Sequence, residues 1–435
     1  MILERLNESL WAALFFPLFS LCGLSLLWRC RLLPFRRFGK TLRITLGGEE
    51  QSGEGLRPTQ AAGTALAATV GTGNIVGTAQ AIAMGGPGAV FWLWMAALLG
   101  MTVKYAEILL GLRYRDGAMG YIRAALGKKA AAFYALTAAI SSLAVGNMSQ
   151  MNGSVSAFCQ AVGNSSLTLR AVCGLVLTAL AALILAGGAK RTGKLAEALV
   201  PLMALGFLLA TGFVLLRYRT ALPAVLRRIV QEAFQPRAAM GAAGGTALRQ
   251  TVLWGLRRGA FSNEAGLGTA ANVHALVEVK DPAVHALWGV FEVFVDTMIL
   301  CTATALTILC SGVKIPTATL PGPELLQSAL SVGIGERASS IFLAALLLLF
   351  GFTTVLGCAV IGQRCVRWLF GQKGEKPYNL LYIACAFLGS LISTRVVWHA
   401  ADAVNAILAV PNLLSLLILS PQAGREVQTF FFGKS

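Results

Sequence analysis

Apolar residues run along this chain in long blocks. Eleven stretches approach or exceed the roughly 20 residues that cross about 30 Å of hydrocarbon. They are 10–28 (α1), 59–84 (α2), 89–112 (α3), 130–161 (α4), 170–188 (α5), 196–216 (α6), 245–275 (α7), 284–311 (α8), 338–363 (α9), 377–394 (α10) and 400–420 (α11). No period-two alternation accompanies them, so they predict spanning helices rather than barrel strands. The longest polar connections, around 29–59 and 217–244, are too short for a soluble domain. A further polar segment, 311–337, contains "IPTATLPGPELL", whose prolines exclude a continuous helix.

Two of the apolar stretches are weakened internally. Within α2, "AATVGTGNIVGTAQ" carries Gly71, Gly73 and Gly77; within α7, "RRGAFSNEAGLG" places Gly259, Gly266 and Gly268 around Ser262, Asn263 and Glu264. A glycine costs a helix interior about 1 kcal/mol relative to alanine, and polar side chains in lipid cost more. Such a segment persists where protein shields it or where it lines a cavity. With α1 set aside, α2–α6 and α7–α11 form two sets of five, each beginning with its interrupted helix. An odd number of spans per set inverts one against the other. The predicted fold is an all-α membrane protein of about 11 transmembrane helices, a 5+5 inverted repeat with two broken helices plus one N-terminal helix. That is the organisation of a secondary transporter with its site at the midplane. Close packing through small residues explains one such helix but not two in matching positions.

The corresponding division is an N-terminal helix and basic connection (1–58), a first five-helix repeat (59–218), an outer connection (219–244), a second repeat (245–420) and a cytoplasmic tail (421–435).

Composition agrees: 56% of the residues are hydrophobic, 13% are charged and the mean hydropathy is +0.70, which places the chain in a membrane. The net charge of +17 raises the possibility of nucleic acid. However, Arg29, Arg31, Arg36, Arg37, Lys40, Lys190, Arg191 and Lys194 gather in connections that follow odd-numbered helices. With the N-terminus outside and the C-terminus cytoplasmic, this is the positive-inside pattern of a multi-pass cell-membrane protein, whose surroundings are lipid rather than nucleic acid. The first helix lacks a small-x-small cleavage site and precedes "RCRLLPFRRFGK", so it reads as a retained anchor. The nine cysteines are odd in number and show no CxxC, and His274, His285 and His399 form no HExxH. Neither a zinc site nor an activated nucleophile is indicated, and the chain does not read as an enzyme. "GTGNIVG" also fails as a nucleotide loop, having the wrong glycine spacing and no preceding strand; no cofactor is implied.

Breaking a helix frees amides and carbonyls at ends that carry about half a unit charge. Amides at Thr72, Gly73 and Asn74 suit a substrate carboxylate. Carbonyls from Ala67 to Val70 suit a small cation, and Asn74 adds a side-chain oxygen. In α4, Asn147, Gln150, Asn152 and Ser154 either cross-link helices or line a polar cavity. Thr353 and Thr354 of α9 either bond back to their own helix or complete an oxygen shell around sodium. Lys104 and Glu107 read as an ion pair within α3; Glu292 and Asp296, on one face of α8, need a partner or a proton. Glu264 reads as a cap for freed amides. Asp402 reads first as a surface acid, with a gate pair to Arg257 or Arg258 as the alternative.

In sequence order, "VGTGNIVGTAQAIAMGGPGAVFWLW", "VGNMSQMN", "RTGKLAEALVPLMA", "RRGAFSNEAGLGTA", "FTTVLG" and "VWHAADAVNAILAVPNLLSLLILS" resemble the alanine or glycine:cation symporters, the sodium:alanine symporter family, within the wider group of the LeuT-type inverted-repeat fold. The resemblance covers nearly the whole chain. It implies uptake of small neutral amino acids driven by sodium, in some members by protons, rather than a channel or a membrane enzyme. By position it places Thr72, Gly73 and Asn74 at the substrate carboxylate, Gln150 at the substrate's polar groups and Phe261 and Ser262 on the opposite wall. Thr353 and Thr354 would bind Na+ together with carbonyls of α2. Three positions depart from the family pattern: Cys358 stands where Trp is usual, "GAMGY" with Ala118 and Gly120 replaces Gly-Pro-Met-Tyr-Tyr, and Gln363 replaces a glutamate. A Trp buries on the order of 200 Å², so Cys358 implies a larger or reshaped substrate pocket.

Overall fold

The computed structural model describes residues 10–47, 55–235, 244–315, 322–392 and 394–433, without the side chains of 244–246 and 394–401. Residues 316–321, within the proline-containing segment, and the His399 side chain lie outside that description. All regular structure among the described residues is helical. Eight helices among the described residues are long and apolar enough to cross a membrane: Leu10–Arg29 (α1), Ala89–Arg113 (α3), Lys128–Val162 (α4), Leu167–Leu185 (α5), Gly188–Arg217 (α6), Pro282–Cys310 (α8), Glu336–Phe370 (α9) and Asp402–Phe432 within α11. The other expected spans fall on the two broken helices and on the 17-residue Glu375–Leu391 (α10). Helix α2 comprises Pro58–Thr69 (α2a) and the segment 73–85 (α2b); α7 comprises Gly244–Asn263 (α7a) and Thr269–His274 (α7b).

Local chemistry sets the ends. Pro58 occupies the first turn of α2a, where its missing N–H costs nothing, and the Gln60 side chain accepts from the Arg57 amide at 3.3 Å. Ser166 caps α5 by accepting the Leu169 amide at 3.3 Å. Several helices outrun their apolar stretches. Helix α11 spans Thr394–Phe432 and passes through Pro411 and Pro421 into the expected tail. Burial of Ala406, Leu413, Leu416, Ala423 and Val427 along it outweighs the hydrogen bonds the prolines remove. The connection expected over 219–244 contains the amphipathic helix Leu222–Phe234, which buries Ile229 and Ala233.

Burial separates centre from rim. The most apolar window of α3 is 83% buried and that of α5 is 17% buried. Leu175, Leu180 and Leu183 of α5, and Leu202, Leu205 and Leu209 of α6, stay exposed, as residues facing lipid tails do. The broken helices lie inside this ring: α7a packs on α3 and α2b, and α2a packs on α6 and α9. At Gly357 of α9 a Cβ would stand 2.8 Å from both the Ala68 amide and the Thr64 carbonyl of α2a, so this closest approach requires glycine.

Candidate functional site

Helix α2 leaves helical geometry at Val70, which is extended (φ −75°, ψ 92°). Side chains take up the amides this frees. Asn74 Oδ1 accepts the Gly71 N–H at 2.9 Å, and Gln150 Oε1 of α4 accepts the Thr72 N–H at 3.3 Å and the Thr72 hydroxyl at 3.0 Å. The Asn74 amide nitrogen faces across to α7 and α8, donating to Asp296 Oδ1 at 2.6 Å and lying 2.9 Å from Ser262 Oγ. Ser262 and Thr297 hydroxyls each donate to Asp296 Oδ2 at 2.8 Å. The two broken helices thus meet at one buried carboxylate.

Helix α7 breaks over 264–268, with Glu264 (φ 55°), Gly266 (φ 93°) and Gly268 (φ 74°) in the left-handed region that glycine tolerates best. The freed amides of Gly266 and Gly268 donate to Glu107 Oε1 at 2.9 and 3.0 Å, joined by Asn412 Nδ2 at 2.7 Å. Glu107 therefore does the capping expected of Glu264, whose carboxylate instead accepts the Thr269 hydroxyl at 2.7 Å. The expected Lys104–Glu107 pair is replaced. Lys104 Nζ lies 3.1 Å from Glu292 Oε2 and donates to the Asn263 carbonyl at 3.1 Å. Glu292 also meets His274 Nε2 at 2.7 Å, and His274 Nδ1 lies 2.8 Å from His285 Nε2. Lys104, Glu107 and Glu292 are fully buried, and the partners they have lie on other helices rather than along their own.

Beside the crossing lies a cavity of about 10 Å³, room for roughly one water. Gly73, Gln150, Phe261, Ser262 and Thr354 line it, with Ala68, Thr69, Val145, Gly146 and Glu264. Cys358 does not. It backs Gly146, where a Cβ would collide with its Cβ and Sγ, so residue 358 bears on the cavity through the Val145–Gly146 turn of α4. Of the four polar α4 residues, Gln150 faces the cavity. Asn147 donates to the Tyr382 carbonyl at 2.6 Å, Asn152 to the Gly389 carbonyl at 3.0 Å and Ser154 to the Leu347 carbonyl at 2.8 Å, tying α4 to α10 and α9.

Thr354 Oγ1 lies 3.4 Å from the Val70 carbonyl and donates to Phe350 O at 2.9 Å. Thr353 bonds to its own helix at Leu349 O (2.9 Å) and faces Met203 of α6. The Ala67 and Val70 side chains pack into the apolar cluster with Val200, Met203 and Phe350.

Asp402 is buried. It pairs with Arg257 and stands 3.6 Å from Arg258, whose guanidinium lies over the Phe261 ring at 5.6 Å. Phe261 thus separates this charged cluster from the cavity. At the N-terminal end of α2a, Arg57 meets Glu197 of α6 at 2.6 Å.

Two broken helices in corresponding positions of two five-helix sets, crossing at a small polar cavity, define an inverted-repeat secondary transporter. Residues 1–434 match the sodium:alanine symporter family, and the chain belongs to it. It is 34% identical to the sodium/alanine symporter AgcS of Methanococcus maripaludis, over 99% of this chain and 96% of that protein. It is 36% identical to the probable sodium/glutamine symporter GlnT of Bacillus subtilis, over 95% of this chain and 87% of that protein. Among solved structures, MhsT in complex with L-phenylalanine aligns with a TM-score of 0.62 at 16% identity, over 87% of this chain and 99% of that one, a likeness of fold.

Proposed function

We propose that this chain carries small neutral amino acids into the cell together with sodium, by alternating access, with its N-terminus outside and its C-terminus in the cytoplasm. The observation that carries this reading is the crossing of the two breaks at Asn74, Ser262 and Asp296, beside the cavity that Gln150, Phe261 and Thr354 line. Relatives named for alanine and for glutamine support a substrate among amino acids without net side-chain charge.

The substrate carboxylate goes to the amides of Thr72, Gly73 and Asn74. Gln150 Oε1 holds the Thr72 amide in this conformation, so a carboxylate displaces it and frees Gln150 for the substrate's ammonium. Phe261 and Ser262 form the opposite wall. Sodium goes to the Ala67 and Val70 carbonyls and the Thr354 hydroxyl, joined by Thr353 once it turns from Leu349. The Asp296 carboxylate, with the hydroxyls of Ser262 and Thr297, offers a second hard-oxygen set. Arg258 and Asp402 form the outer gate. With the inside negative, each entering sodium gains about 2.3 kcal/mol per 100 mV.

Uptake of a labelled amino acid panel into proteoliposomes, with and without a sodium gradient, tests the reading; saturable sodium-dependent uptake is expected, and non-saturating flux would identify a channel. Asn74→Ala and Thr354→Val are each expected to lower that uptake at least tenfold while the protein still purifies as a folded species. Unchanged uptake in both variants would remove these residues from the site. Cys358→Trp is expected to press Gly146 toward the cavity and confine transport to glycine and alanine. A substrate profile identical to wild type would refute this role for residue 358.

A further inference from the structure

Helix α1 stands outside both five-helix sets, yet its first turn reaches the charged cluster above Phe261. The Trp11 indole N–H donates to the Asp402 backbone carbonyl at 3.1 Å. The same ring carries the Arg257 guanidinium 5.4 Å from its centroid, and Trp254 of α7a lies at the same distance from that guanidinium. Arg257 is thus seated against two indoles while pairing with the Asp402 carboxylate. Trp11 is 2% exposed and is held by Phe15, 4.6 Å away between ring centroids, and by Phe16 at 6.2 Å. Further along, Ser25 of α1 meets Ser420 of α11 at 3.5 Å, so α1 and α11 are joined along their length.

One residue therefore touches both sides of the contact between α7a and α11. An indole N–H bonded to the carbonyl of Asp402 fixes the backbone that presents the carboxylate. An indole face beside Arg257 attracts the cation through its quadrupole and excludes water that would otherwise solvate the ion pair. Both interactions exist with Arg257 against Asp402, and the second is lost when α7a moves away.

We propose that Trp11 is a positioning residue of the outer gate: α1, an addition to the inverted repeat, locks the closed arrangement of Arg257 and Asp402 through this indole. The inference rests on reading Arg257, Arg258 and Asp402 as that gate. It does not depend on which substrate or ion is carried.

A reporter cysteine at Gly77 tests it, because a Cβ there meets Arg258 Cδ at 3.5 Å, an ordinary contact, and so stands beside the gate. In proteoliposomes without substrate, the rate at which an impermeant maleimide modifies Gly77→Cys reports how often the gate parts; the parent without this cysteine gives the background. Trp11→Leu is expected to raise that rate about fivefold. Trp11→Phe, which keeps a ring but loses the N–H, is expected to raise it about twofold and to keep the protein folded should the leucine variant fail. Turnover per transporter should fall while the KM for external substrate does not rise, whereas misfolding would reduce only the amount of active protein. Asp402→Asn is the control for the gate. If it accelerates labelling and neither Trp11 variant does, the role of Trp11 is overturned. If none of the three accelerates labelling, the gate reading fails and takes the proposal with it.

Discussion

Asp296→Asn is expected to reduce sodium-dependent uptake at least a hundredfold. Its carboxylate accepts hydrogen bonds from Asn74, Ser262 and Thr297, which arrive from α2, α7 and α8. An asparagine has one acceptor oxygen and an NH2 group at the second position, where two hydroxyls now donate. Both hydroxyls then lose their acceptor in a buried site, at about 1–3 kcal/mol each, and the negative charge is gone. A hundredfold loss corresponds to about 2.7 kcal/mol, within what a buried charged group contributes. Initial uptake rates over a range of sodium concentrations check this. A variant within threefold of wild type, with the same sodium dependence, would exclude Asp296 from any role with the cation.

The second large effect concerns stability. Glu107 Oε1 receives the Gly266 and Gly268 amides and Asn412 Nδ2, so Glu107→Leu strands three buried donors at about 1–3 kcal/mol each. The thermal midpoint in detergent is expected to fall by at least about 5 °C, taking a few degrees per kcal/mol. Glu107→Gln keeps an acceptor oxygen and should fall less. A leucine variant with the wild-type midpoint would show that the α7 break does not depend on this cap.

The features legible in the sequence are those with a local signal. A glycine pair inside an apolar run weakens a helix whatever surrounds it, so the breaks at Val70–Thr72 and 264–268 stand out, and with them the two sets of five. Partner choice is a tertiary matter. Spacing alone pairs Lys104 with Glu107, but α7 and α8 bring Glu292 to one and two freed amides to the other. Asn147, Asn152 and Ser154 look as suited to a cavity as Gln150 does; which of them faces α10 or α9 depends on the roll of α4, which four polar residues within two turns do not fix. Trp11 carries no sequence signal of a gate, since an aromatic residue near the end of a spanning helix is ordinarily an interfacial anchor.

Gly357 also determines what kind of motion is open to α2a. The missing Cβ lets the α9 and α2a backbones touch at this point, where any larger residue would meet Ala68 and Thr64 at 2.8 Å and push the helices apart. A contact this small leaves α2a free to turn about it, with Gly357 as fulcrum and α2a as lever. The Pro58 end lies ten residues from Ala68, about 15 Å along the axis, so a turn of roughly 10° displaces it by about 3 Å. That is enough to part Arg57 from Glu197, now 2.6 Å apart, while Thr354, within one turn of the fulcrum, hardly shifts against Val70.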